Sequence, residues 1–378
     1  MSASSFSIRK LINDLHLWLG IASGLILFVV CLSGTIYVFR AEIERAIEPE
    51  KYTVAFPDGQ TPMAPERLIE AVIETTGGTA SSITVDSAPD APWVVNVKKN
   101  ADDRRGSNYL VNPYTAEVLG NTKGPATGFF MVMFKLHRWL LLPTAIGRPV
   151  VGVATIIFVI LCITGLVLWW PKRFRQMKQG LRVKLSSNWK RINYDLHNVL
   201  GFYSLLLLVV MGLSGLCWSF EWYRDGLGNL LGAKVFDRSR PEQPVLENVP
   251  SESGSIADFA AVANSLFPYA GQMRIAFPAK DQTLVSVGKQ KSGFFALHAH
   301  DVVVINKFTL EPVEVSRFSE KPLGAQIAGS IHAIHLGDIY GTFSKILYFI
   351  SCLIATSLPI TGTIIWINKL KKKRKRRC

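Results

Sequence analysis

Seven histidines hold most of the chemistry available to this chain, and two of them recur in one setting. Asp14-Leu15-His16 leads to Gly20 and then to Leu32-Ser33-Gly34; Asp195-Leu196-His197 leads to Gly201 and then to Leu213-Ser214-Gly215. Both copies lie in long apolar runs, where an ionisable side chain is costly and marks a functional site by default. Two imidazoles at matched depth, from two copies of one motif, make a ligand pair for a single buried metal centre. Three more histidines, His137, His332 and His335, stand just before two further apolar runs. His298 and His300 alternate as H-A-H on one face of a strand-like run.

The elements that must hold these imidazoles are membrane helices. Apolar residues make up 49% of the 378, and the mean hydropathy of +0.24 is too high for an ordinary soluble chain. Four runs, 16–39, 147–170, 197–219 and 343–367, reach the ~20 residues that cross a bilayer. The net charge of +14 invites a nucleic-acid partner, and its distribution excludes one. Arg9 and Lys10, eight bases between Lys172 and Arg191, and eight between Lys369 and Arg377 all fall in short segments at one end of the runs. Short loops rich in Lys and Arg stay cytoplasmic, so both termini are expected inside the cell. The basic tail reads as a topology signal that also attracts anionic lipid. Trp18, Trp169, Trp170, Trp218, Trp222 and Trp366 at the span ends fit an aromatic belt. Cys31, Cys162, Cys217 and Cys352 are intramembrane and Cys378 is in the tail, so the long loops have no disulfide to make.

Each long loop repeats one order of signals. A helix over Pro65–Thr75 precedes strand-like runs at Ser82–Val85, Trp93–Val97, Tyr109–Val111 and Glu117–Leu119. A helix over Ile256–Leu266 precedes runs at Gln272–Phe277, Thr283–Val287, Val302–Ile305 and Val313–Val315. Two small domains follow from this rather than one large one, and the chain reads as a tandem repeat of span, external domain and span. The expected fold is membrane α-helical: a four-helix transmembrane bundle built from a tandem repeat, with two periplasmic α+β domains. Its segments are 1–40 (cytoplasmic N-terminus and first span), 41–136 (first periplasmic domain), 137–171 (histidine segment and second span) and 172–195 (basic loop). They continue with 196–222 (third span), 223–331 (second periplasmic domain), 332–368 (histidine segment and fourth span) and 369–378 (basic tail). Asp14 and Asp195 read as caps at the span starts.

Topology sorts the ligands. His16 and His197 lie at the cytoplasmic ends of their spans, His137, His332 and His335 at the external ends, so the pairs are His16 with His197 and His137 with His335. His137 precedes Thr164-Gly165 much as His335 precedes Thr361-Gly362; His332, one turn earlier, fits that register less well and remains the alternative ligand. Gly20 and Gly201 lie one turn from their histidines, where a missing side chain lets a flat macrocycle approach. Gly34 and Gly215, 18 residues beyond the histidines, return to the same face about 27 Å from them along the axis, where a second planar group can pack. Two haems stacked across the membrane are therefore expected. Bare zinc or copper fits less well, because two histidines without Asp, Glu or Cys leave either metal under-coordinated, whereas haem iron needs two axial ligands. The chain has no C-x-x-C-H, so the haems are non-covalent and of b type. Arg40, Arg138 and Arg148, near the external ends, read either as partners for haem propionates or as interface anchors.

The D-L-H-x-x-L-G entrance to an apolar helix, the L-S-G near its end, the His137-Arg138-Trp139 before a T-G-containing helix and the flanking helix-plus-strand segments together resemble bacterial PepSY-associated transmembrane proteins over nearly the whole chain. Within them the chain most resembles inner-membrane ferric-siderophore reductases of the ferrioxamine type. The resemblance implies PepSY-like periplasmic domains, axial ligation of two haems b by His16, His197, His137 and His335, and reduction of Fe(III)-siderophore in the periplasm with release of Fe(II). No cytoplasmic segment is long enough for a flavin or nicotinamide domain, so the donor is expected to be a quinol or a separate protein. Two other readings stay open: a non-catalytic haem-binding membrane anchor or iron-uptake accessory, and a membrane holder for loops that regulate a protease.

Overall fold

The computed structural model describes the chain except for residues 1–6, 57–58, 101, 104, 172, 238–252, 279–281 and 376–378. Lys172 of the basic loop and Arg376, Arg377 and Cys378 of the tail lie outside the described residues. The chain divides into two compact units, one of Met1–Phe39, Gly128–Val235 and Ile331–Cys378, the other of Arg40–Thr127 and Phe236–Ser330. In chain order the principal helices are α1 (Ile8–Val38), α2 (Pro65–Thr76), α3 (Thr127–Trp139), α4 (Thr144–Trp169), α5 (Trp189–Ser219), α6 (Glu221–Leu231), α7 (Ile256–Leu266), α8 (Leu323–Leu336) and α9 (Gly341–Lys375). The strands are β1 (Thr79–Val85), β2 (Trp93–Lys98), β3 (Ser107–Val111), β4 (Val118–Asn121), β5 (Gly271–Ala276), β6 (Leu284–Lys291), β7 (His300–Asn306) and β8 (Pro312–Ser316).

In the first unit α1, α4, α5 and α9 are long and apolar enough to cross a membrane, and the chain is a multi-pass membrane protein. They form a ring in which α1 packs on α4 and α9, and α5 packs on the same two. Cys162, Leu208 and Ala355, small or slender residues from three of the four helices, fill its centre and let the helices approach closely. The helices begin earlier than their apolar runs. Asn188 caps α5, its side chain accepting the Arg191 amide N–H, and the helix forms through the polar flank before the hydrophobic run begins. Asp195 is therefore not a cap, as the sequence suggested, but a helix-interior residue 4% exposed. It pairs with Arg191 (Nε to Oδ1 2.8 Å) and accepts the Lys184 amide N–H, which ties the basic loop to the bundle. Asp14 likewise lies in the second turn of α1 rather than at its start.

The segments that carry His137 and His332/His335 are separate helices, α3 and α8, folded back against the spans. Leu140 and Leu141, both in the left-handed region (φ 56° and 60°), turn α3 into α4. Gly337 and Gly341 (φ 80° and 62°) do the same between α8 and α9. A Cβ at Gly147 of α4 would collide with the Trp139 carbonyl at the end of α3, so glycine there allows the hairpin to close.

The second unit departs from expectation in one respect. The two long segments between spans are not two separate domains: they share an eight-stranded antiparallel sheet of order β4-β3-β2-β1-β5-β6-β7-β8. Each half alone would leave β1 or β5 with an open ladder edge and an apolar row beside it. Pairing Ser82 to Val85 with Ala276 to Met273 closes both edges. Ile83 opposite Ile275, both 0% exposed, continues the core across the join. Helices α2 and α7 cover one face, their Leu68, Val72, Phe259 and Ala263 packing on Val95, Val97, Val287 and Ile305. One sheet requires residues 40–127 and 236–330 to lie on the same side of the membrane, which two intervening spans allow.

Candidate functional site

Four imidazoles in the helical unit sit in four versions of one seat, a hydroxyl residue followed by glycine on a neighbouring helix. His16 of α1 lies on Thr164-Gly165 of α4, and His197 of α5 on Thr361-Gly362 of α9. His137 of α3 lies on Ser33-Gly34 of α1, and His335 of α8 on Ser214-Gly215 of α5. The glycine makes room for the ring. A Cβ at Gly34 would stand 2.8 Å from His137 Nδ1 and one at Gly215 3.0 Å from His335 Cε1; at Gly165 and Gly362 it would stand 3.3 Å from the Cε1 of His16 and His197. The hydroxyl residue bonds back to its own helix, as Ser33 does to Val29 O and Ser214 to Val210 O. This satisfies its proton inside apolar surroundings.

The seats also fix which nitrogen carries the proton. His137 Nδ1 lies 2.9 Å from Val30 O and His335 Nδ1 3.0 Å from Met211 O. A carbonyl only accepts, so both Nδ1 atoms are protonated and donate. His16 Nδ1 lies 2.9 Å from Thr164 Oγ1, and His197 Nδ1 2.9 Å from Thr361 Oγ1. The Thr164 hydroxyl donates to Ile160 O and that of Thr361 to Ser357 O, so each oxygen accepts the imidazole proton. Asn193 braces the second seat by donating to Thr361 O. In all four rings the proton is held at Nδ1 and the lone pair is left at Nε2. This is the arrangement by which an outer hydrogen bond orients a metal-ligating histidine and raises its basicity. His298 is the contrast: its Nδ1 accepts from Gln290 Nε2–H at 3.0 Å.

The rings gather at two levels. His137 and His335 face each other with centroids 6.0 Å apart. That separation would let both rings hold one metal ion through bonds of ~2 Å. His16 and His197 project from α1 and α5, diagonal in the ring, into a cavity of about 370 Å³. Its walls include Gly20, Gly24 and Gly201, leaving flat helix faces beside the histidines, and its volume lies within the range of cofactor pockets. Measured along α1, His16 and the carbonyl that anchors His137 are 14 residues apart, about 21 Å. Among the described residues no three His, Cys, Asp or Glu side chains gather as a metal site. The donor set at each level is therefore a pair of neutral imidazoles, which suits an iron whose other four positions are filled by a macrocycle.

Gly20 and Gly201 line space beside the histidines. Gly34 and Gly215, expected to receive a planar group, receive the imidazoles of His137 and His335 instead; a ring must come that close to reach the carbonyl four residues back. His332, one turn before His335 on α8, sets its ring against Trp218 (6.1 Å), which in turn lies 5.1 Å from His335. The Arg138 guanidinium lies over Phe134 and Trp139, and Arg40 pairs with Glu44. His298 and His300 come together in the sheet unit, centroids 5.9 Å apart. Thr164, Thr361, Gly165 and Gly362, which in the sequence served only to set register, belong to the seats. The repeated hydroxyl-plus-glycine dipeptide was the signal that could have found them.

Comparison with curated proteins gives no match. The PepSY-associated TM region matches residues 14–369, from the aspartate before His16 to the lysine that ends the last apolar run, and the chain belongs to that family.

Proposed function

We propose that this protein is a di-haem electron carrier of a bacterial inner membrane that reduces ferric siderophore in the periplasm and releases Fe(II). The observation that carries the reading is the common state of the four imidazoles, each tied through Nδ1 and each presenting Nε2. His16 with His197 would hold one b-type haem and His137 with His335 the other. The bound group supplies a one-electron carrier. The chain's part is to ligate it, fix the imidazole rotation, and surround it with apolar helix faces that exclude water. The electrons come from a quinol or a separate donor protein.

Several features support the finer points. The concentration of Lys and Arg near the ends that carry His16 and His197 supports a cytoplasmic position for both termini and a periplasmic one for the sheet. The matched seats in the two halves support a tandem duplication. The siderophore as substrate class rests on the resemblance of the motifs to ferrioxamine-type reductases.

The test is a visible spectrum with pyridine haemochrome quantification on the full chain. Two b-type haems are the expected result, and a colourless preparation from porphyrin-replete cells would overturn the reading. Dithionite-reduced protein should then reoxidise rapidly on adding ferric hydroxamate. Reoxidation no faster than with an unrelated iron chelate would leave the haem-binding anchor or iron-uptake accessory in its place.

A further inference from the structure

The cavity around His16 and His197 is apolar within and basic at one rim. Leu161, Leu205 and Leu358 line its interior, whereas Arg9 and Lys369 stand on its wall at the end where α1 starts and α9 runs out into the tail. Both cations belong to the faces that carry the site. Arg9 is seven residues, two turns, before His16, and Lys369 is seven residues beyond Gly362, the seat of His197; each interval spans about 10 Å of axis. Sequence alone assigns both to topology. The Arg9 guanidinium is held in place, Nη2 donating to Leu168 O at 2.7 Å and Trp170 O at 3.2 Å.

We propose that Arg9 and Lys369 form a carboxylate clamp for the macrocycle held by His16 and His197, and that this clamp sets which way the macrocycle is turned. The inference rests on the haem reading above. A haem carries two carboxylates on one edge. Buried among the leucines they would be heavily penalised, so that edge must face a wet, cationic rim, where charge-assisted hydrogen bonds hold it. The rim is lopsided. Arg9 and Lys369 come from neighbouring helices α1 and α9, while Lys190, the position that matches Arg9 in the other half, is not on the cavity wall; Lys172, which matches Lys369, lies outside the described residues. Two near-equivalent histidines would accept a flat ligand in either of two orientations; one basic seam selects between them.

An anionic lipid head group could supply the same negative charge, and the experiment separates the two sources. The full chain carrying His137→Ala, which keeps only this level, is stripped and titrated with haem and with haem dimethyl ester in neutral detergent. Arg9→Gln with Lys369→Gln should weaken haem about tenfold and leave the ester unchanged, and the charge-preserving Arg9→Lys with Lys369→Arg should restore tight binding. Equal affinity of the parent for acid and ester, or equal loss of both in the glutamine pair, would overturn the clamp. So would a loss that appears only when anionic lipid is added, which would assign the two cations to head groups. A parent that binds neither compound would overturn the haem reading itself.

Discussion

The two histidine levels leave the same nitrogen bare and secure the other one differently. At the level of His137 and His335 the acceptors are main-chain carbonyls, Val30 O and Met211 O, with Ser214 Oγ also 3.1 Å from His335 Nδ1, and a Cβ added at the seat glycine would stand 2.8 and 3.0 Å from the rings. At the level of His16 and His197 the acceptors are threonine hydroxyls and a Cβ added at the seat glycine would stand 3.3 Å from each ring. A carbonyl cannot be mutated away, and a methyl group in either tight seat requires the ring to shift, most of all at Gly34, so one level is fixed mainly by the backbone. The other is adjustable by side chain, and it is also the level with an open cavity beside it.

The largest effect expected is loss of one haem per chain in each of His16→Ala, His197→Ala, His137→Ala and His335→Ala, read by haemochrome. Loss of both from a single substitution would mean that the levels are not independent. Next comes Gly34→Ala, whose methyl group falls on a ring pinned to Val30 O. It should empty the His137/His335 level, whereas Gly165→Ala, with a few tenths of an ångström to yield, should retain its haem. Equal damage from both would remove the distinction between the levels. Thr164→Val and Thr361→Val delete the hydroxyl acceptors and should each weaken haem at their own level by about 10- to 100-fold, the usual cost of an outer-shell partner. An unchanged affinity would show that the hydroxyl acceptors are not needed. The smallest effect belongs to His332→Phe, which installs the residue that stands at the matching place, Phe134, beside Tyr37 rather than Trp218. It should leave both haems and their spectra intact; loss of one would make His332 a ligand.

Much of this was legible in sequence because the signals are local. Four apolar runs gave four spans, and alternation placed all eight strands to within a few residues. The repeated D-L-H motif paired His16 with His197. What stayed hidden depends on contacts that no local pattern announces. The turn between α3 and α4 is made by Leu140 and Leu141, which carry no turn signal and hold a conformation that costs L residues about 1–2 kcal/mol each. The helix bearing His137 therefore did not separate from the span behind it, whereas Gly337 and Gly341 do mark the turn after the helix that bears His335. The role of Ser33-Gly34 was misread for a related reason: helical phase says which face a glycine is on, and only the fold says that an imidazole, not a macrocycle, arrives there.

The join between β1 and β5 has a consequence for how the protein is made. During synthesis the first four strands emerge without their central neighbour, and the stretch from Val85 to Gly271 takes about 10 to 40 s to translate at ordinary ribosome speeds. Throughout that interval a buried-to-be edge, with Ile83 beside it, stands open to any passing strand. A chaperone, or a nascent neighbour of the same kind, has its best opportunity then, and premature termination after the third span should yield a fragment prone to pairing with copies of itself.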